Sequence, residues 1–358
     1  MSATEASGRG AWLAELVARE QLDLLFVCEL TNVRYLTGFA GTNGACLVGA
    51  EERIFFTDFR YIERAREEVG EGWERPEAER ELLPQIAKRI RGRVGFEDAK
   101  LSVRQLHKLM ELIGEGVELV PAGDLVEELR AVKDADELER ISAAARLADE
   151  VYRWAFEAGL SGRSEREVAR ACEARIRELG GEPSFPPIVA TGANGALPHA
   201  EPGEREIGPE QLVVFDMGAQ LDGYCSDCTR TVATGEPGAE ARELYELVRT
   251  AQAAALDAVR AGASGVEVDA AARRLIDEAG QGERFGHGTG HGVGLEVHET
   301  PRLATSSEDT LRAGNVVTVE PGVYVPGRFG VRIEDLVVVT ESGHRNLSRL
   351  PKDLPVVG

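Results

Sequence analysis

The chain has 358 residues, which is enough for two domains that each bury a full core. Its composition, with 43% hydrophobic and 29% charged residues, is ordinary for a globular protein, and it contains no apolar run long enough to predict a transmembrane helix. The formal net charge of −21 disfavours nucleic acid and anionic membranes as partners.

Cysteine usage indicates the compartment. The chain has five cysteines, and an odd number in a chain of this size favours a reducing compartment over a disulfide framework. Residues 1–10 lack the apolar segment of a signal peptide. These two features predict a cytoplasmic protein.

Helix and strand patterns alternate over the first part of the chain. The predicted helices cover 11–20, 60–69, 83–90 and 102–113, and the predicted strands cover 24–28, 45–48, 54–57, 93–96 and 117–120. Segment 32–44 is rich in glycine and is predicted to be a loop-rich connection. This alternation predicts an α/β domain over residues 1–130, without an evident catalytic cluster.

A second domain is predicted over residues 134–358. Asp134 can cap a long helix that runs to about Ala158, with the Glu137 side chain reaching back to it. Two further capping boxes, at 164–167 and 264–267, each open a second helix after a long one. The recurrence suggests a pseudo-symmetric α+β domain with helices outside and a sheet inside.

Two aspartates lie on a predicted hairpin in this domain. The apolar run 212–215 predicts a buried strand that ends on Asp216, and the run 229–232 predicts its partner. Asp227 lies just before the second strand. Two buried carboxylates that face each other repel, so a positive group should lie between them.

The register of this hairpin depends on which residues form its turn. If Leu221 and Asp222 form the loop, Asp216 lies directly opposite Asp227. If Asp222 and Gly223 form it, the register moves by two residues. The two aspartates point to the same face in both cases, because side-chain direction repeats every two residues along a strand.

A second hairpin repeats this arrangement with glutamates. A turn centred on Gly327 would set Glu320 opposite Glu334. Four converging carboxylates and a histidine suit two divalent cations. A single imidazole among oxygen ligands favours Mn²⁺-like ions over a thiolate-type zinc site.

The chain has six histidines, and four of them lie near glycine-rich strand ends of the second domain. Such clustering favours a functional site over isolated core or surface histidines. These four residues are His199, His287, His291 and His298. His107 and His344 have polar neighbours and are predicted to lie on the surface.

Three other patterns predict no site. The Cys225-x-x-Cys228 pair has no second cysteine pair for zinc and no following strand-to-helix turn for redox chemistry. The Gly-His run 286–294 lacks the strand and helix that flank a dinucleotide-binding loop. The segment 296–299 does not match the zinc-binding His-Glu-x-x-His helix.

At these residues the chain resembles the pita-bread metallopeptidases, specifically the Xaa-Pro aminopeptidase and prolidase branch. The resemblance covers nearly the whole chain and implies a creatinase-like α/β N-terminal domain followed by an α+β pita-bread catalytic domain. The N-terminal match includes Thr31-Asn-Val-Arg-Tyr-Leu-Thr-Gly-Phe and Thr57-Asp-Phe-Arg-Tyr. The catalytic match includes Phe215-Asp216-x-Gly, Ser226-Asp227-x-Thr-Arg-Thr, Gly290-His291-Gly-Val-Gly-Leu-x-Val-His298-Glu, Val319-Glu320-Pro-Gly-Val-Tyr and Arg332-Ile-Glu334-Asp335.

The resemblance implies a metal-ligand set and a cofactor. The implied ligands of two divalent ions are Asp216, Asp227, His291, Glu320 and Glu334. Asp227 and Glu334 would bridge both ions, Asp216 would bind one ion, and His291 and Glu320 the other. Mn²⁺ is the preferred metal, with Co²⁺ and Zn²⁺ as alternatives.

The resemblance also implies roles around the metals. His199 and His298 would face the substrate, with His298 stabilising the oxyanion. Glu320 would carry the proton to the leaving prolyl nitrogen. His287 would line the proline subsite, and Arg332 would brace the bridging carboxylates.

The implied function is hydrolysis of the bond between an N-terminal residue and a following proline by an Xaa-Pro aminopeptidase. An Xaa-Pro dipeptidase (prolidase) is the main alternative, and a non-catalytic binding module on the same fold is a more distant one. The N-terminal match and the Arg-Ile-Glu-Asp segment disfavour a methionine aminopeptidase, and the intact ligand set disfavours a metal-free creatinase. The expected partners are peptides with proline at the second position and, in a homodimer, a second copy of this chain.

Overall fold

The computed structural model describes residues 3–76 and 80–358. The chain divides into two compact units, Met1–Arg130 and Ala131–Gly358. No helix in the described ranges is long and apolar enough to cross a membrane.

Unit 1 alternates helices and strands, as its sequence pattern predicts. Its helices are α1 (Ala3–Arg19), α2 (Leu30–Thr37), α3 (Ile62–Glu68), α4 (Leu82–Ala87), α5 (Val103–Leu112) and α6, which runs to the start of the next unit (Leu125–Ala131). Its strands are β1 (Leu24–Val27), β2 (Gly44–Gly49), β3 (Arg53–Thr57), β4 (Arg93–Phe96) and β5 (Glu118–Pro121).

The strands of unit 1 form one mixed sheet in the order β3-β2-β1-β4-β5. Strands β1, β4 and β5 are parallel, whereas β2 pairs antiparallel with both β1 and β3. Every residue of β1 and β2 is buried. Apolar side chains of the sheet pack against α4 and α5, because both faces of such a sheet must be covered.

Helix α2 lies where the sequence predicts a loop-rich connection. The Glu29 side chain accepts a hydrogen bond from the Thr31 amide at its start, and Gly38, with φ of 86°, ends it. Val33 and Leu36 are fully buried. Their spacing of three residues is a helical signal, but the glycines that follow favoured the prediction of a loop.

Unit 2 opens with paired helices and continues into antiparallel strands. Its helices are α7 (Ala135–Ala158), α8 (Glu165–Glu178), α9 (Ala239–Ala258) and α10 (Gly265–Glu278). Its strands are β6 (Glu182–Pro183), β7 (Ile188–Thr191), β8 (Leu212–Asp216), β9 (Ala219–Leu221), β10 (Tyr224–Cys225), β11 (Thr229–Ala233), β12 (Gly290–Gly292), β13 (Glu299–Leu303), β14 (Val316–Val319), β15 (Gly322–Val325), β16 (Phe329–Arg332), β17 (Asp335–Val339) and β18 (His344–Asn346).

The capping boxes predicted for unit 2 are present. Asp134, Ser164 and Ser264 each accept a hydrogen bond from the amide three residues later, and the glutamate side chain there accepts one from the amide of the cap residue. They fix the starts of α7, α8 and α10. Helices α7 and α8 pack on β8 and β11, and α9 and α10 pack on β14 and β17. The two halves suggested by the sequence therefore each pair two helices with strands.

Candidate metal centre

The first hairpin adopts the second of the two registers considered from the sequence. Asp216 at the end of β8 pairs with Thr229 in β11, and not with Asp227. The loop is Asp222–Gly223, with φ of 49° and 86°. These positive angles match the two-residue primed turns that suit the twist of a hairpin. Asp216 and Asp227 still share a face, as alternation requires.

The second hairpin has the predicted register. Strands β14 and β15 pair with β17 and β16 in one continuous register, which sets Glu320 opposite Glu334. Its turn centres on Gly327, with φ of 73°. Both glutamates lie in the short gaps between the paired strands, and Oε2 of Glu334 accepts a hydrogen bond from Thr229 of the first hairpin.

Three carboxylates from the two hairpins meet. Ligand atoms of Asp216, Asp227 and Glu334 lie within 4.8 Å of one another, and all three residues are buried. Each has one buried oxygen without a hydrogen-bond partner, namely Oδ1 of either aspartate and Oε1 of Glu334. Such oxygens are costly to bury unless a cation binds them, so the cluster fits metal ions.

Burial and mutual repulsion dominate the titration of this cluster. Burial raises the pKa of Asp227 well above its ordinary value, and the charges of Glu334 and Asp216 raise it further. Burial raises the pKa of Glu334 in the same way, with Glu320 and Asp216 adding to it. A divalent cation would reverse this effect, because it favours the ionised form of each ligand.

His291 and Glu320 extend the cluster. Nε2 of His291 lies 3.2 Å from Oε1 of Glu320 and 3.7 Å from Oδ2 of Asp227. Nδ1 of His291 is 3.0 Å from the Gly292 carbonyl oxygen, which leaves Nε2 for the carboxylates. Burial opposes ionisation of Glu320, but the hydrogen bond and charge of His291 lower its pKa to about 2. A metal ion would replace the shared proton between these two side chains.

Arg332 differs in detail from what the sequence predicts. The resemblance had it brace the two bridging carboxylates, whereas its Nη2 donates directly to Oδ2 of Asp216 at 2.7 Å. It reaches Glu334 only indirectly, through the Thr229 hydroxyl, which accepts from its Nε and donates to Oε2 of Glu334. The difference follows from packing, because Arg332 ends β16, which lies against β8.

The other three predicted histidines lie around this network at different depths. His298 is exposed, and its ring centroid is 4.3 Å from that of His291. His287 is half-buried, with Nε2 3.0 Å from the Tyr324 hydroxyl. His199 is exposed and follows Pro198, whose carbonyl oxygen accepts from Arg332. Partial removal from water lowers the pKa of His298, and the charge of His291 lowers it further.

Sequence reasoning gave no role to three residues of the site. Thr229 joins Arg332 to Glu334, and Tyr324 joins Arg332 to His287. Both lie inside motifs that carry the resemblance, but their partners are distant in the chain. Arg302 is the third, and it lies opposite His291 in the β12–β13 pair.

The cysteine pair in the first hairpin is buried and reduced. The thiol of Cys225 donates to the Leu295 carbonyl oxygen at 3.8 Å, and that of Cys228 donates to the Glu334 carbonyl oxygen at 3.7 Å. Burial raises the pKa of Cys225 to about 11 and that of Cys228 well above the ordinary value. Both thiols have backbone partners, and the rejection of this pair as a metal site stays a prediction.

Family models and known proteins match this arrangement over nearly the whole chain. Residues 9–132 match the Creatinase/Prolidase N-terminal domain, and residues 139–341 match metallopeptidase family M24. An Xaa-Pro dipeptidase of Pyrococcus furiosus is 35% identical, and the alignment covers 96% of this chain and 98% of the relative.

Solved structures agree with the family models. The structure of an Xaa-Pro dipeptidase from Bacillus anthracis is 38% identical with a TM-score of 0.94, covering 99% of this chain and 100% of that one. The structure of an X-Pro aminopeptidase from Thermotoga maritima is 32% identical with a TM-score of 0.88, covering 96% and 100%.

These matches confirm the predicted fold class, a creatinase-like α/β domain followed by an α+β pita-bread catalytic domain. They also confirm the prediction of a hydrolase, because the chain matches the model of a metallopeptidase family and relatives named as Xaa-Pro dipeptidases. The carboxylate cluster lies within the range that matches the peptidase model. The chain belongs to metallopeptidase family M24.

Proposed function

We propose that this protein is an Xaa-Pro dipeptidase that hydrolyses the bond between an N-terminal residue and proline. The observation that carries the proposal is the buried cluster of Asp216, Asp227 and Glu334, with three oxygens left for a cation. The names of relatives similar over their full length supply the substrate class, and dipeptidases outnumber aminopeptidases among them.

The proposed cofactor is a pair of divalent ions held by Asp216, Asp227, His291, Glu320 and Glu334. Asp227 and Glu334 would bind both ions. The donor set is oxygen-rich with one imidazole, which favours Mn²⁺ over a thiolate-type zinc site. When bound, the two ions supply Lewis acidity, which makes water more acidic and polarises the substrate carbonyl.

The remaining catalytic and positioning roles would belong to side chains of the protein. Arg332 fixes Asp216, since it donates to Oδ2 from a buried position, and its charge opposes the rise in the pKa of Asp216 that burial causes. A ring N–H of His298 would donate to the oxygen that becomes negative during attack on the carbonyl. Glu320 would accept a proton from the attacking water and deliver it to the prolyl nitrogen. A bond to that nitrogen carries no N–H, so ordinary backbone recognition fails there.

Two further histidines would act on the substrate side. His199, exposed beside the Arg332-bound carbonyl of Pro198, would contact the substrate. His287, held by the Tyr324 hydroxyl, would line the proline subsite.

Arg302 supports the dipeptidase over the aminopeptidase. It pairs with His291 across β12 and β13, so both side chains lie on one face of the sheet. It is exposed, and its charge contributes to lowering the pKa of His298. A dipeptide has a free carboxylate one residue beyond the scissile bond, and an arginine there would bind it. An aminopeptidase must leave that position open for a longer chain.

The remaining assignments rest on the resemblance and on composition. We propose residues 1–130 as the creatinase-like domain and 134–358 as the catalytic domain. We further propose a cytoplasmic homodimer without nucleic-acid or membrane partners.

The test compares an Xaa-Pro dipeptide, its C-terminal amide and an Xaa-Pro tripeptide with Mn²⁺ supplied. Wild-type protein should prefer the dipeptide. Arg302→Met should raise KM for the dipeptide by about 10–100-fold and leave KM for the C-terminal amide unchanged. Arg345→Met is the control, because Arg345 is exposed on β18 at the opposite edge of the sheet. Preference for the tripeptide would favour the aminopeptidase, and full activity in chelator would refute the metal mechanism.

A further inference from the structure

The turn that carries His298 is anchored by a buried ion pair. Nζ of Lys133 lies 3.2 Å from Oε2 of Glu299, and the two side chains are only 1% and 6% exposed. Glu299 follows His298 directly in the chain. Neither residue belongs to the proposed metal ligands or to the proposed proton transfers, so the burial of this pair needs another explanation.

Stability is a weak explanation for such a pair. Removing two charges from water costs free energy that their attraction seldom exceeds, and well-packed apolar replacements are often neutral or stabilising. A buried pair does, however, fix geometry, because each charge keeps its partner in one place. That property matters where a neighbouring side chain must hold one orientation.

Both ends of the pair are tied to the backbone. The Lys133 amide donates to the Gly314 carbonyl oxygen at 3.0 Å, and its Nζ also donates to the Ala131 carbonyl oxygen at 3.4 Å. Oε1 of Glu299 accepts from the Glu296 amide at 3.0 Å. One carboxylate therefore closes the turn 296–299 and connects it to a fixed ammonium group.

The orientation of His298 follows from the position of Glu299. Glu299 begins β13 and directly follows His298, so the carboxylate that Lys133 holds fixes the backbone from which the imidazole projects. The His298 ring is exposed on one side, and its centroid lies 4.3 Å from that of His291 at the carboxylate cluster. The turn is tightly packed around the carboxylate, since a Cβ added at Gly294 would lie 2.5 Å from Oε2 of Glu299.

We propose that Lys133 and Glu299 are positioning residues for His298. The pair holds the turn so that the imidazole faces the carboxylate cluster and the substrate carbonyl. The inference rests on the role proposed for His298. Lys133 lies between the two matched ranges, 9–132 and 139–341, so neither family model covers it.

A direct test follows the histidine signals. Full-length, zinc-loaded protein with labelled histidine is compared by NMR as wild type and as Lys133→Met, with His298→Ala used for assignment. The ring signals of His298 should shift, while those of His344, at the opposite edge of the sheet on β18, should stay. An unmoved His298 signal would overturn the proposal.

A kinetic cycle tests the consequence. Lys133→Met should keep two metal ions and nearly the wild-type KM, but lose about 10–100-fold in kcat, as expected for a small displacement of a catalytic group. In a His298→Ala background the same substitution should change kcat less than about twofold, because the group it positions is gone. An equal loss in both backgrounds, or no loss in the first, contradicts the proposal.

Two further variants keep the test decisive. If Lys133→Met does not fold, Lys133→Met/Glu299→Leu replaces it, because that pair leaves no unpaired charge. Asp149→Asn removes another buried carboxylate, which binds the Arg349 amide, and should lower Tm without the kcat loss. If no Xaa-Pro peptide is hydrolysed, the proposed function fails, and the NMR comparison still decides the positioning.

Discussion

Arg332 and Asp216, a member of the carboxylate cluster, form a buried ion pair with Nη2 of the arginine 2.7 Å from Oδ2 of the aspartate. The same guanidinium donates to the Thr229 and Tyr324 hydroxyls and to the Pro198 carbonyl oxygen. One planar group therefore fixes a carboxylate, a second carboxylate through Thr229, and the segment before His199. A fork of fixed donors can do this, whereas a single ammonium group cannot.

Arg332→Lys should therefore weaken the metal centre although the charge is kept. We expect metal affinity to fall by about 10–100-fold, since partners that orient metal ligands typically contribute that much. Metal titration of the folded variant measures it. Arg328→Lys is the matched control, because Arg328 lies in the turn of the same hairpin and pairs with Glu240 at the surface. A wild-type affinity for Arg332→Lys would show that charge alone suffices.

Glu334→Gln and His298→Ala should separate metal binding from catalysis. Glu334→Gln removes a proposed bridging charge, so metal and activity should be lost together. His298→Ala should keep both ions and most substrate affinity, but lose about 10²–10³-fold in kcat. Mass spectrometry of metal content is read beside kcat and KM. Metal loss only in His298→Ala would reverse the roles, and wild-type rates in both would place the catalytic centre elsewhere.

The cysteine pair should be dispensable for metal binding. Cys225 and Cys228 are buried thiols that donate to backbone carbonyls. Replacing both with serine should leave the metal content unchanged, with a modest loss of packing. Loss of metal from a folded double variant would mean that the thiols are ligands after all.

Metal removal should make stability depend on pH. In the metal-free protein the pKa values of Asp227 and Glu334 are raised above those of the unfolded chain, 3.8 and 4.5. The folded state then binds more protons than the unfolded state, so the free energy of unfolding falls as pH rises from these values toward the folded ones. The raised pKa of His291 acts in the same direction above pH 6.5, because its stabilisation is lost as pH passes the folded value.

The measurement compares Tm with and without Mn²⁺ from pH 5 to pH 8. The stabilisation by metal should grow with pH, because metal replaces protons on the same ligands. Asp227→Asn/Glu334→Gln without metal should show a flatter pH profile than the metal-free wild type. A difference in Tm between the samples with and without Mn²⁺ that shrinks toward pH 8 would contradict this account.

Features set by neighbouring residues could be predicted from the sequence. The register of the second hairpin follows from one glycine turn, and the carboxylate pair Glu320–Glu334 follows from that register. The capping boxes are equally local, because cap and partner are three residues apart. For the first hairpin, alternation put Asp216 and Asp227 on one face whichever turn formed.

The tertiary structure alone decided which side chains from distant segments meet. Arg332 binds Asp216, which is 116 residues away in the chain, and Lys133 binds Glu299, which is 166 residues away. No local pattern encodes such partners, because they depend on how β16 packs on β8 and how the turn after β12 folds. Helix α2 shows the same limit, since burial of its apolar face outweighed the glycines around it. Secondary-structure propensity and side-chain alternation depend on a few neighbouring residues. Burial and charge pairing depend on the complete tertiary fold, because they join residues that are distant in the chain.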